Sequence, residues 1–308
     1  MGNLWWGNGW LSAIRRWRGQ TGALPEAVPA PEPPRIGVAL GGGFARGLAH
    51  LGVLRVFERN RIPVHCITGV SAGAIAAAAF ASGATTDEIA RIGGTMRFAD
   101  VARWTLCRMG FVSSERMERF LRKLLKRYWF EDMVIPLGVV ATDVVTGEPV
   151  LFHGQGDVFL PIRASCAYPG LFRPVPCGEH LLVDGAMSME VPAQLARSLG
   201  ATFVISVHLP MQGRSSRPSN MFQVVNRCFQ IMQTRTEDGW RRHSDLVIVP
   251  DVRGVEWDAF KSAAQLVEAG EKAATAVLPQ LLKLAGREPA PEPDTVMGLA
   301  GATDSAQP

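Results

Sequence analysis

The chain is short of charge, of cysteine and of long apolar runs, and each shortage removes a class of protein. No stretch of roughly 18 or more apolar residues occurs in its 308 positions, so no transmembrane helix is expected. Charged residues make up 19% and hydrophobic ones 47%, which is enough apolar material for a sizeable core and excludes a disordered chain. The five cysteines (Cys66, Cys107, Cys166, Cys177, Cys228) are odd in number and form no C-x-x-C pair. That argues against a disulfide framework or a zinc site and fits a reducing compartment. No His/Cys/carboxylate cluster has ligand spacing either, so neither metal nor cofactor is expected. The formal net charge is only +4, and no nucleic-acid partner is expected. No internal repeat is visible.

What charge there is clusters. Between Met1 and Gln20 the only ionisable side chains are Arg15, Arg16 and Arg18, which follow an apolar stretch instead of preceding it, unlike a signal peptide. Trp6, Trp10, Ile14 and Trp17 recur there at helical spacing. Tryptophan plus arginine suits a membrane interface, and the same stripe suits packing against the protein's own domain or a second copy. Residues 24–34 carry Pro25, Pro29, Pro31, Pro33 and Pro34 and read as an extended linker. The domain expectation is therefore an arm and linker over 1–34, a folded domain over 35–284, and a disordered tail over 285–308. A cytoplasmic location follows, peripheral to the inner face of the membrane if the arm is an anchor.

The most informative stretch is Gly69-Val70-Ser71-Ala72-Gly73. A β-branched apolar run (Val64, Ile67, Val70) leads in and an alanine-rich run to Ala81 leads out. A bare G-x-S-x-G is common by chance, but strand, abrupt turn and helix is the context of a nucleophile elbow. Gly69 and Gly73 would remove side chains that collide where strand and helix converge. The helix N-terminus would favour negative charge on the Ser71 oxygen.

Upstream, a buried strand over Arg35–Leu40 runs into Gly41-Gly42-Gly43-Phe44-Ala45-Arg46-Gly47 and then a helix. Glycines in that position free backbone N–H groups for an anion. The dinucleotide spacing fails, because Phe44 stands where a glycine should, and no ribose-binding acid follows near Cys66 and Ile67. An oxyanion hole serving Ser71 is the better reading. Arg46 would hold the loop or attract a phosphate headgroup.

Further along, residues 84–134 read as mostly helical. Over Glu115–Tyr128, Met117, Phe120, Leu121, Leu124, Leu125 and Tyr128 share one face, with Glu115–Arg119 and Glu118–Arg122 as i,i+4 pairs. Arg119, Arg122, Lys123, Lys126 and Arg127 make the segment basic, as either a solvated surface or a face for anionic lipid. Region 95–135 is expected to form a lid or rim. Leu137–Val145 reads as a buried strand ending near Thr142 and Asp143, and Leu181-Leu182-Val183 leads into Asp184-Gly185-Ala186. That last turn could close a hairpin or present a carboxylate to Ser71. A helix over Val191–Leu199, strands over Phe203–Val207 and Leu246–Val249, and a closing helix or helix pair over Phe260–Leu284 complete the reading.

Taken in order, Gly41–Gly47, Gly69–Gly73 and Asp184–Ala186, with Ala141-Thr142-Asp143 and Arg163–Gly170 between, resemble the patatin-like phospholipase family, its bacterial branch in particular. The resemblance covers roughly residues 35–275. It implies a three-layer α/β/α fold with a mostly parallel sheet and hydrolysis of phospholipid or other acyl esters. Ser71 would be nucleophile and Asp184 base, with Gly185 and Ala186 leaving room for their approach. The glycine-rich loop would be the oxyanion hole, through N–H groups around Gly42, Gly43 and Phe44. Phe44 departs from the pattern, and its N–H donates only if its φ is ordinary. Two other functions compete: a Ser71–Asp184–His triad esterase using His208 or His243, and a non-enzymatic membrane-associated interaction protein.

Overall fold

The structure is a computed structural model that describes residues 33–95, 97–107, 109–210, 217–255 and 262–287. The tryptophan/arginine arm, nearly all of the linker and the tail beyond Arg287 lie outside the described residues.

Strand β1 (Ile36–Leu40) leads through the glycine loop and a 3-10 turn (Phe44–Gly47) into helix α1 (Leu48–Arg59). β2 (Cys66–Gly69) is followed by α2 (Ala72–Ala81), α3 (Thr86–Gly93) and the short α4 (Phe98–Val101). A hairpin, β3 (Arg103–Cys107) and β4 (Gly110–Ser113), precedes α5 (Glu115–Leu124). Then come β5 (Leu137–Asp143), β6 (Pro149–His153), α6 (Phe159–Ser165), β7 (Val175–Cys177) and β8 (His180–Asp184). The chain continues with α7 (Ala193–Ser198), β9 (Phe203–Val207), α8 (Met221–Arg241), β10 (Leu246–Ile248), α9 (Ala263–Ala276) and α10 (Leu278–Leu284).

The sheet order is β10-β9-β1-β2-β5-β8-β7, with β6 also on β5. β10, β9, β1, β2 and β5 run parallel; β6, β7 and β8 are antiparallel additions. Alternation along β1 separates the layers, as the two-residue strand period requires. Ile36, Val38 and Leu40 join Ile67 and the buried faces of α1 and α2 in the main core. Ala39 faces the other way, into a second cluster with Cys66, Ala193, Ala196 and Trp240 from α7 and α8. Helices thus cover both faces, the arrangement that a strand buried on both sides demands. α2 is buried almost all round, which its alanines permit at close range.

Region 84–134 differs from the helical expectation. Residues 103–113 form an antiparallel hairpin, pinned by Phe111 and Val112 N–H groups on Leu171 O and by Arg173 N–H on Val112 O. A lone two-stranded hairpin is marginal in water, so this long-range anchoring, invisible to local pattern, decides its conformation. α5 ends at Leu124, short of Tyr128: Leu125 is extended (φ −91°, ψ 146°), and Lys126 N–H donates to Ser82 Oγ at 3.0 Å. Glu118 pairs with Arg122 at 2.8 Å, whereas Glu115 and Arg119 do not pair with each other. α8 has no counterpart in the sequence reading. Its 21 residues are mostly polar, and the local signal was the Asn220 cap, whose Oδ1 accepts from Gln223 N–H at 2.9 Å.

Candidate active site

The register of β5 brings the ends of two distant strands together. β6 occupies one edge of β5 along Gly138–Thr142. The opposite edge is shared: β2 pairs in parallel with Leu137–Val139, and β8 pairs antiparallel with Ala141–Asp143. The two strands run toward each other along that edge and stop at Gly69 and Asp184. Ser71 leaves the end of one and Asp184 closes the other. Ser71 Oγ donates to Asp184 Oδ2 at 2.7 Å.

Ser71 stands at φ 54°, ψ −124°, a conformation that costs a non-glycine residue on the order of 1–3 kcal/mol. Its surroundings hold it there. Ser71 N–H donates to the buried Ser165 Oγ at 2.8 Å, and Val70 N–H to Leu40 O at 3.1 Å. A Cβ on Gly73 would lie 2.3 Å from Leu40 O, and one on Gly69 2.4 Å from Gly73 O, so both positions require glycine. Ser165 was not singled out from sequence; nothing local distinguishes it in a run of small residues.

Asp184 is buried, with Oδ1 accepting from Ala186 N–H at 3.0 Å as it caps the 3-10 turn Gly185–Met187. The Asp-Gly pair therefore opens a turn that presents the carboxylate and is not a hairpin. Thr142 Oγ1 donates to the Asp184 carbonyl at 3.0 Å, while Asp143 turns away to His180 Nδ1 at 2.9 Å. Burial raises the Asp184 pKa to about 7, against the opposing pull of the Ala186 N–H and the Ser71 hydroxyl. Burial also pushes the neighbouring Cys166 thiol and Tyr168 phenol upward, helped by the Asp184 charge.

The glycine loop passes beside the serine: a Cβ on Gly42 would stand 3.6 Å from Ser71 Cβ. Gly41 N–H bonds Val207 O at 3.0 Å and Gly42 N–H bonds Glu190 O at 3.3 Å, leaving Gly43 N–H with no acceptor among the described residues. Phe44 has φ 50°, so the ordinary φ required of it as a donor is not met. Its ring packs edge-on against Tyr168 at 4.9 Å. Arg46 is buried at 6% exposure, its Nε and Nη2 without a partner among the described residues, and burial lowers its pKa. Gly47 lies against α2, where a Cβ would come 2.5 Å from Ala72 Cβ. His50 Nε2 donates to Gly41 O at 2.8 Å, and its pKa falls to about 4 on burial, so the loop is held by a neutral imidazole.

The histidine expected in a triad is engaged elsewhere. His208 Nε2 contacts Glu190 Oε1 at 3.1 Å, and Glu190 also accepts from Trp240 Nε1 at 3.4 Å. His243 lends its carbonyl to Arg197. Among the described residues no histidine bonds Ser71 or Asp184. Glu190 went unmarked in the sequence, yet it borders the site with Gln233 of α8.

Two concavities meet at Ser71. One holds Gly42, Gly43, Tyr168 and the polar side chains of Asp184, Glu190 and Gln233. The other is apolar and runs between α2, α3 and α5, with Leu51, Ile75, Ile89, Met117, Phe120 and Leu124 among its walls. The segment expected to form a rim thus contributes Val101, Met117, Phe120 and Leu124 to one wall.

Residues 38–197 match the family model for patatin-like phospholipases. The chain belongs to the patatin-like phospholipase family, a family of lipid acyl hydrolases. It is 28% identical over 270 residues to the Uncharacterized NTE family protein Mb2594 of Mycobacterium bovis, covering 79% of this chain and 46% of that protein. It is 31% identical over 185 residues to the mouse Patatin-like phospholipase domain-containing protein 6, covering 58% of this chain and 14% of that one. The chain thus spans less than half the length of these relatives. The fold is shared with VipD from Legionella pneumophila (TM-score 0.52, 14% identity, 82% of this chain and 67% of that one). No described helix is long and apolar enough to cross a membrane.

Proposed function

We propose that this chain hydrolyses the carboxylic ester of an acylated lipid, with residues 35–284 as the catalytic domain. The observation that carries the reading is the 2.7 Å contact between the buried Asp184 carboxylate and Ser71 Oγ, whose residue lines an apolar cavity. Ser71 Oγ attacks the acyl carbon while its proton passes to Asp184. The tetrahedral oxyanion takes donation from the glycine loop, chiefly Gly43 N–H, a contribution of about 3 kcal/mol per donor. Asp184 returns the proton to the leaving alcohol, and water, deprotonated by the same carboxylate, releases the fatty acid and restores the serine. The apolar cavity takes the acyl chain. Burial suits Asp184 to the task, since an ordinary carboxylate with pKa ~3.9 is a weak base for a serine. His50 holds the loop through Gly41 O, and the Phe44 ring packs on Tyr168 beside it.

The test is an untargeted comparison of total membrane lipid after incubation with wild-type protein and with Ser71→Ala. Free fatty acid and deacylated lipid should appear with the wild type alone, and a fluorophosphonate should label Ser71. Equal turnover by Ser71→Ala or Asp184→Asn would end the proposal.

A further inference from the structure

The hairpin and α5 carry a combination of exposed groups that hydrolysis does not use. Trp104 is 72% exposed, Met109 55% and Phe111 53%, three large apolar side chains in one short hairpin. β4 ends at Ser113 and α5 begins two residues later, so the hairpin base adjoins the first turn of the helix; Arg103, exposed and paired in register with Ser113, stands at that base. On α5, Arg116, Arg119 and Lys123 follow one another at i, i+3 and i+7, one stripe of the helix. They line a concavity of about 430 Å³ with Thr95, Ala99 and Asp100. Arg116 Nη1 donates to Ala99 O at 3.1 Å, and none of the three cations has an ion pair among the described residues. Asp100, the single acid of the concavity, caps Arg97 N–H at 2.8 Å.

We infer that the β3–β4 hairpin and the Arg116/Arg119/Lys123 stripe form the face that docks on an anionic phospholipid bilayer, with a lipid phosphate seated among the three cations. Nucleic acid or an acidic protein would match the cations but not the three exposed apolar side chains of the hairpin that leads into the helix. A bilayer interface matches both: aromatic side chains enter the headgroup region while lysine and arginine meet anionic lipid. Position agrees with charge. Phe120 lines both the cationic concavity and the apolar cavity at Ser71. The hairpin is pinned to Leu171–Arg173, and Phe172 lines the same cavity. A membrane held on this face would lie next to the cavity that takes the acyl chain. The choice of a bilayer rests on the acyl-ester reading of that cavity.

The experiment is vesicle flotation with phosphatidylcholine alone and with phosphatidylcholine mixed with phosphatidylglycerol. Arg119→Gln/Lys123→Gln should weaken partition onto the anionic vesicles about 30-fold, at ~1 kcal/mol per cation, and leave the zwitterionic partition unchanged. Trp104→Ser/Phe111→Ser should weaken both. High salt should reverse the anionic component. Both variants should hydrolyse a soluble short-chain ester as the wild type does, and Ser71→Ala should bind vesicles normally, which separates docking from catalysis. Inorganic phosphate is compared at matched ionic strength: protein that holds phosphate at the three cations yet does not float with anionic vesicles would assign the cations to free phosphate and overturn the lipid proposal. So would undiminished vesicle binding by both variants, or loss confined to deletion of residues 1–30. Should the variants fail to fold, amide exchange on the wild type decides: anionic vesicles must slow it over the described residues of 103–123, and unchanged exchange there refutes the proposal.

Discussion

Asp184→Asn separates the chemistry of the site from its stability, with opposite signs for the two. The buried carboxyl keeps its proton up to about pH 7 in the folded chain, but only to about 3.9 once unfolded. Between those values the folded state binds more protons, so the contribution of Asp184 to stability falls as pH rises across the window. The penalty grows from roughly 1.5 kcal/mol at pH 5 to about 4 kcal/mol at pH 8. Asparagine carries no such charge, and its amide still fits the geometry: Oδ1 accepts from Ala186 N–H and Nδ2 donates to Ser71 Oγ, the two contacts Asp184 makes now. The variant should therefore gain on the wild type by about 2.5 kcal/mol between pH 5 and pH 8, or roughly 5–10 °C in Tm for a domain of this size. Activity should move the other way. The wild-type kcat/KM on a soluble ester should climb about tenfold per pH unit below the apparent pKa and level off above pH ~8, because only the ionised carboxylate can take the serine proton. Asp184→Asn should be inactive throughout. Thermal melts and initial rates on the same pH series measure both. An acid limb centred at pH 4–5, or a stability gap that does not widen with pH, would refute the reasoning.

Two further outcomes are expected. Gly93 lines the apolar cavity, and a Cβ there would meet only Leu48 Cδ2, at 3.6 Å, so Gly93→Leu should fill the cavity without backbone strain. Its kcat/KM should drop for long acyl chains relative to short ones, by about fourfold per methylene displaced at ~0.8 kcal/mol each, and an unchanged chain-length profile would show that the acyl chain lies elsewhere. Ser165→Ala removes the acceptor of the Ser71 N–H and should lower stability by roughly 1–3 kcal/mol. Because that bond also holds the strained serine, kcat should fall while KM for a soluble ester stays near the wild-type value, and Ser165→Thr should restore part of it.

Local chemistry made much of this protein legible. Glycines at 69 and 73 around a serine, between a β-branched run and an alanine run, mark a turn that only small neighbours allow, and the structure has that turn. β1, β2, β5, β8 and β9 were readable as apolar runs because strands buried on both faces are mostly apolar, and their few buried polar side chains are hydrogen-bonded, as Thr68 is to Pro192 O and Thr142 to Asp184 O. The sequence did not reveal the β3–β4 hairpin, whose conformation depends on bonds to Leu171 and Arg173, or α8, a mostly polar helix that meets Tyr168 through Asn226 and Phe229, and Glu190 and His208 through Trp240. Nor could it show that Gly42 N–H meets Glu190 O, or that Ser165 steadies Ser71. By itself the chain determined its family, its candidate nucleophile and its candidate base. Only the tertiary structure decided their distance, because 113 residues separate Ser71 from Asp184, and it is the shared edge of β5, a long-range pairing, that lets two strands end facing each other.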